Sequence, residues 1–265
     1  MSENLPIVTL PKGFERSEYT ISGVRTVVYE AGSGQPLVFL HGSGTFTGFD
    51  FLDALTAGHR VIVPYHPGFG ESDDDRDIDD IHDYVLHYLE LFQTMGLADI
   101  DLVGFSFGGW IAAELATFHP QLFRRIVLVA PSGLPIFDPP ATDVMTIPAA
   151  QLPAYLAHDP SVLSAKLPSQ HDVDFLTLNY RERIALARVV WDTPSGNRKL
   201  ARRLHRISVP VLLLWGQEDR IRPAAHGETW SGLLPDARLE VLPDAGHLLF
   251  DETPKAVDHI AAFLG

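Results

Sequence analysis

The chain has 265 residues, of which 46% are hydrophobic and 20% charged, and it contains no cysteine, which excludes disulfide scaffolds, thiol nucleophiles and thiolate metal sites. Its 20 basic and 34 acidic residues leave a formal net charge of −14, which argues against a nucleic-acid partner or an anionic membrane surface. A chain this long buries enough surface to need no metal or disulfide staple, and one large domain or two small ones are expected.

Met1-Ser2-Glu3-Asn4-Leu5-Pro6 has neither a basic start nor a long apolar run, so no signal peptide is expected there. No apolar run approaches the ~18 residues that span a bilayer. The expectation is a soluble, cytoplasmic protein.

Glu18–Gly23 and Arg25–Glu30 read as a hairpin around Ser22-Gly23. Pro36–Leu40, Val61–Pro64, Asp101–Phe105 and Ile126–Ala130 are compact apolar runs, as parallel strands buried on both faces require. The spacing between them predicts helices over Phe46–Thr56, Ile78–Met95 and Phe107–Phe118. In the second, Ile78, Ile81, Val85, Leu89 and Phe92 share one helical face. Strand alternating with helix places the chain in the α/β class, with a mostly parallel central sheet covered by helices on both faces.

The alternation stops after Pro131. Residues 132–208 are proline-rich at first and then predicted helical from about Val173 to Arg206, without a convincing strand. Val209–Trp215 and Arg238–Leu242 resume the strand pattern, and Lys255–Leu264 closes with an amphipathic helix. An interruption of this length is usually functional, as a lid or binding element.

Charge is uneven along the chain. Glu71, Asp73, Asp74, Asp75, Asp77, Asp79, Asp80 and Asp83 surround the single Arg76 and supply half of the net charge. The stretch lacks the spaced Asp/Asn and Gly pattern of a calcium loop and is read as a solvated loop entering a helix. Arg198, Lys199, Arg202, Arg203 and Arg206 are read as a solvated helix face paired with that acidic loop, rather than as a steering patch for an anionic substrate.

Gly104-Phe105-Ser106-Phe107-Gly108-Gly109 stands where a predicted strand meets a predicted helix. A serine on so tight a turn exposes its hydroxyl, and side chains in place of the glycines would clash with neighbouring elements. The helix that starts there aims its amino-terminal amides at the same spot, which suits an oxyanion. A hydroxyl needs a base to become a nucleophile. His247, in Asp244-Ala245-Gly246-His247 after the last predicted strand, is placed to be that base. Asp219, in Trp215-Gly216-Gln217-Glu218-Asp219, follows the preceding strand and is placed to orient the imidazole, with Glu218 and Asp138 as alternatives. His41-Gly42-Ser43-Gly44 follows another strand, and its small residues let a backbone amide approach a reacting carbonyl. The oxyanion donors are assigned to the amides of Ser43 and Phe107. His41 is read as structural. Aromatics near these motifs are Phe46, Phe105, Phe107 and Trp110, the last expected in the core. Phe46, Trp191 and Leu248 are assigned to the substrate pocket, which favours an apolar acyl or aryl group.

These motifs, with Pro67-Gly68-Phe69-Gly70-Glu71-Ser72, succeed one another in an order that resembles the α/β-hydrolase superfamily over essentially the whole chain. The resemblance implies a hydrolase core over 1–131 and 209–265, a mainly helical cap over 132–208 and a serine nucleophile, and it implies no metal or organic cofactor. Serine at the elbow argues against the aspartate-dependent dehalogenase and epoxide hydrolase branches. Tyr65 stands where many relatives have an aspartate. The His41 loop is similar to that of carbon–carbon hydrolases acting on ring-fission products. Those relatives usually continue the loop with Pro-Gly, where this chain has Thr45-Phe46, and often place tryptophan directly after the histidine, where it has Leu248.

The expected activity is hydrolysis of small, largely apolar esters through an acyl-enzyme on Ser106. The alternatives are carbon–carbon bond hydrolysis of vinylogous diketones and a small-molecule receptor that retains the triad. The expected partner is a small-molecule substrate, with homo-oligomerisation left open.

Overall fold

Eight strands form one sheet in the computed structural model, which describes residues 13–168, 172–193 and 196–265. The amino-terminal reading of Met1–Pro6 lies outside these residues. The strands are β1 (Glu15–Ile21), β2 (Val24–Ala31), β3 (Gln35–Leu40), β4 (His59–Pro64), β5 (Ile100–Phe105), β6 (Phe123–Val129), β7 (Val211–Gly216) and β8 (Ala237–Leu242), in the spatial order β1-β2-β4-β3-β5-β6-β7-β8. Only β2 runs against its neighbours, pairing antiparallel with β1 and β4; the other pairs are parallel.

The inner strands are apolar on both faces because each face has its own layer to fill. Val38, Leu40, Leu102, Ile126, Leu128 and Leu213 face one core, which includes residues of α1 (Ile81–Thr94) and α2 (Phe107–Phe118). Leu37, Phe39, Val103, Val127, Val129 and Leu212 face the other, with residues of α8 (Lys255–Leu264). Period-two alternation between two apolar layers is the signature of a covered parallel sheet.

Spatial order reverses at β3, which is flanked by β4 on one side and β5 on the other. Loops leaving the carboxyl ends of strands diverge at such a reversal and open a crevice. The segments after β3, β5, β7 and β8 all leave the sheet at that edge, and they contain Ser43, Ser106, Asp219 and His247 respectively.

Several expected elements are altered. The helix expected over Phe46–Thr56 shrinks to a 3-10 turn at Asp50–Leu55, because Gly48 has φ +79° and Phe49 is non-helical. The helix α1 begins three residues later than expected. Asp80 accepts the His82 amide while Asp83 accepts the Asp80 amide, a capping box that fixes the first turn.

Between β6 and β7 lie α3 (Leu152–Leu156), α4 (Pro160–Ser164) and α5 (Val173–Val190). The two short helices are invisible to periodicity, because five residues make little more than one turn and cannot repeat the period. α6 (His226–Leu233) and α7 (Leu249–Glu252) are likewise additions to the expected elements.

The basic run does not form the expected helix face. Residues 198–203 form turns that lead into a 3-10 segment at Leu204–Arg206. Arg203 pairs with the buried Glu114 at 2.6 Å, and Arg206 Nε donates to the Thr117 carbonyl at 2.7 Å. Nor does this run meet the acidic loop. Arg188 on α5 binds Asp74, Arg25 binds Asp73, and Arg16 and Tyr29 bind Glu71. Among the described residues no group of His, Cys, Asp or Glu is arranged to hold a metal ion, and no helix is long and apolar enough to cross a membrane.

Candidate active site

Ser106 links β5 to α2 with φ 52° and ψ −111°. A non-glycine residue in that region costs of order 1–3 kcal/mol and persists only when its surroundings over-determine it. Here the Ser106 amide donates to Val129 O at 2.9 Å, and its carbonyl accepts the amides of Trp110 at 3.1 Å and Ser132 at 2.9 Å. The next turn needs glycine for close approach. A Cβ on Gly108 would overlap the carbonyl oxygens of Leu40 and His41. The first turn of α2 therefore lies directly against the end of β3.

The strained elbow holds the Ser106 hydroxyl 2.9 Å from His247 Nε2, and His247 Nδ1 lies 2.7 Å from Asp219 Oδ2. Asp219 Oδ1 accepts the amides of Ile221 and Arg222, both at 2.8 Å. A carboxylate only accepts, so Nδ1 carries the proton and Nε2 is left to accept from the serine hydroxyl. All three side chains are buried, with Ser106 7% exposed. The alternative acids lie elsewhere: Glu218 accepts the Ala245 amide at 3.1 Å, bracing the loop before His247, and Asp138 is exposed.

His41 is fully buried, and burial pushes its imidazole down to about 3. Its Nε2 accepts the His66 amide at 3.1 Å, so Nδ1 is the protonated nitrogen and donates to the Gly42 carbonyl at 2.7 Å. The ring is neutral and pins the loop that contains Ser43. Phe107 is the first residue of α2, where an amide has no acceptor within the helix. Among the described residues neither the Ser43 nor the Phe107 amide donates a hydrogen bond, and both residues line one cavity with Ser106 and His247.

Phe46 and Leu248 also line that cavity. Trp191 does not. It is 73% exposed at the end of α5, where the helix turns Val190 toward the cavity and the next side chain away from it. Trp110 is buried as expected, with its indole N–H 3.2 Å from Glu114. Phe105 lies beside the imidazole, with ring centroids 5.1 Å apart.

Glu182, Ser132 and Arg222 are among the polar residues at the cavity that escaped the sequence reading. Glu182 on α5 is buried and accepts from the Thr45 hydroxyl at 2.5 Å, the Thr45 amide at 3.1 Å and the Gly70 amide at 3.0 Å. Burial raises its carboxyl above the ordinary 4.5 despite these bonds. Ser132 accepts the Arg222 Nε–H at 3.2 Å, and burial pushes the Arg222 guanidinium below its usual range. The one sequence signal for Arg222 is a second arginine three positions after Asp219; Glu182 is hidden among arginines.

Residues 37–259 match the model of the alpha/beta hydrolase family. The chain is similar to proteins named 2-hydroxymuconate semialdehyde hydrolase. It is 30% identical to one from Pseudomonas putida over 251 residues and 28% to one from Pseudomonas sp. strain CF600 over 249, covering 87% of this chain and 86% of each relative. The solved structure of a serine hydrolase from Cycloclasticus zankles superposes with a TM-score of 0.78 at 21% identity, over 95% of this chain and 98% of that one. With a doubly covered sheet, a strained elbow and a match across most of its length, the chain belongs to the alpha/beta hydrolase family.

Proposed function

We propose that the protein is a serine hydrolase that cleaves small, largely apolar esters through an acyl-enzyme on Ser106. The observation that carries this reading is the continuous hydrogen-bond chain Asp219–His247–Ser106, which opens into a cavity lined in part by Phe46 and Leu248. Ser106 Oγ attacks the ester carbonyl while His247 Nε2 takes its proton. Asp219 holds the tautomer and stabilises the imidazolium. The carbonyl oxygen becomes an oxyanion facing the amides of Ser43 and Phe107, where one lost donor costs about 3–4 kcal/mol of barrier. The tetrahedral adduct collapses as His247 returns the proton to the leaving alkoxide. Water, deprotonated by His247, then releases the acid and restores the serine. Residues 132–208 act as the cap in this reading: Glu182 reaches from α5 to the loops at Thr45 and Gly70.

Hydrolysis of a chain-length series of p-nitrophenyl esters by wild type and Ser106→Ala tests the reading. Chain-length-dependent turnover is expected, falling by up to about a millionfold in the variant. Activity that survives the substitution would assign the nucleophile elsewhere.

The names of the Pseudomonas relatives favour a second reading, carbon–carbon bond hydrolysis of a vinylogous dicarbonyl acid by the same residues. A ring-fission diketone turned over far faster than any ester would select it. Tight ligand binding with negligible turnover on both panels would instead indicate a receptor.

A further inference from the structure

Two arginines stand at the cavity in front of Ser106. Arg183 and Arg222 both line it, and among the described residues neither forms an ion pair. The acids near it make their hydrogen bonds elsewhere, although the charges of Asp219 and Asp143 act on Arg222. Asp143 accepts the Met145 amide at 2.9 Å, Glu182 holds Thr45 and Gly70, and Asp251 pairs with Lys166. Arg222 is half-buried near the carboxylates of Asp219 and Asp143 without pairing with either, and its terminal N–H groups are left open to the cavity, where an anion from outside can take them.

Arg222 is also the better fixed of the two. Its amide donates to Asp219 Oδ1 at 2.8 Å, and its carbonyl accepts the Trp215 indole N–H at 2.8 Å. Its Nε donates to Ser132 Oγ at 3.2 Å, and the Ser132 amide bonds the Ser106 carbonyl at 2.9 Å. One short relay thus ties the guanidinium to the elbow. Its two terminal amino groups have no acceptor among the described residues, and a planar fork of two N–H donors matches a carboxylate bidentately.

We propose that Arg222 forms a carboxylate subsite within the cavity, so that the ester attacked by Ser106 carries a carboxylate at the far end of its acyl chain or leaving group. This rests on the reading of Ser106 as nucleophile and narrows its substrate class. The apolar wall receives the connecting carbons and the guanidinium receives the charge. Arg183 supplies a second positive charge on the same wall.

Two matched pairs test the subsite: p-nitrophenyl hemiglutarate against p-nitrophenyl hexanoate, and 4-acetoxybenzoate against phenyl acetate. The readout is the ratio of kcat/KM within each pair. Wild type should favour the carboxylate member of at least one pair. Arg222→Met should reduce that ratio by about 10–100-fold, the equivalent of one charge-assisted hydrogen bond. Arg222→Lys should restore part of it, and Arg222→Gln replaces the methionine variant if the latter does not fold. Absence of any preference in wild type, or a preference that survives removal of the charge, would overturn the proposal. If no ester is turned over, the nucleophile reading fails separately, and calorimetry with glutarate decides the subsite. Binding to wild type that is lost in Arg222→Met supports it, and no binding to wild type overturns it.

Discussion

Asp219 uses both carboxylate oxygens, one on the His247 imidazole and one on two backbone amides. Asp219→Asn tests this division of labour. The amide oxygen would keep the two backbone donors, so its NH2 group would face Nδ1. That forces the proton onto Nε2, which could then no longer accept from Ser106. A fall in kcat of about 10⁴ is expected, with the thermal midpoint nearly unchanged. Unaltered kcat would show that His247 does not depend on this tautomer. Position in the chain alone could not separate Asp219 from Glu218. The folded loop separates them by direction: one carboxylate faces the imidazole and its neighbour faces the Ala245 amide.

Elements differ in how openly the sequence declares them. Strands β3, β5, β6 and β7 are recognisable because two apolar layers demand side chains of one kind on both faces, and α2 because glycines and a serine mark its entry. The role of α5 is not readable, since a glutamate between two arginines looks like a solvated helix surface until the loops it holds are in place. Glu182→Ala would leave the buried amides of Thr45 and Gly70 without acceptors, at about 1–3 kcal/mol each. Chemical denaturation should report that loss, and kcat/KM should fall as well because Thr45 continues the Ser43 loop. The effect has a pH signature. Burial raises the folded-state value of Glu182 above the ordinary 4.5, so the folded protein binds this proton more tightly than the unfolded chain. Its contribution is therefore fully present below 4.5 and declines as pH rises through the folded value. The stability gap between wild type and Glu182→Ala should narrow from acid toward neutral pH. A gap that widens would mean that the hydrogen bonds to the charged form outweigh its desolvation.

At the scale of the whole molecule, the segment between β6 and β7 is fastened to the core by polar anchors along its length. Arg188 binds Asp74, Lys166 binds Asp251 and the Thr47 carbonyl, and Arg203 binds Glu114. The last is the most consequential, because Glu114 is fully buried in the middle of α2 and also accepts from Trp110 and Asn197. Removing one partner of such a pair strands the other charge. Arg203→Met is expected to cost about 3 kcal/mol in urea denaturation without a change in slope. The double variant Arg203→Met/Glu114→Gln should recover most of it. Equal losses in the single and double variants would show that Arg203 contributes packing on Phe118 rather than charge.

By itself the sequence determined the α/β class, the inner strands, the elbow at Ser106 and a histidine that follows it later in the chain. These depend on local rules: hydrophobic period, glycine at close approaches, and the residue types found just after a strand. Only the tertiary structure decided which acid meets His247, that Trp191 faces solvent, and that the basic run serves a buried glutamate. It also decided that Arg222 stands beside the elbow with no ion-pair partner among the described residues. Those outcomes depend on contacts between residues up to 141 positions apart, as for Ser106 and His247. Charge and hydropathy along one segment do not encode which distant partner the fold will bring against it.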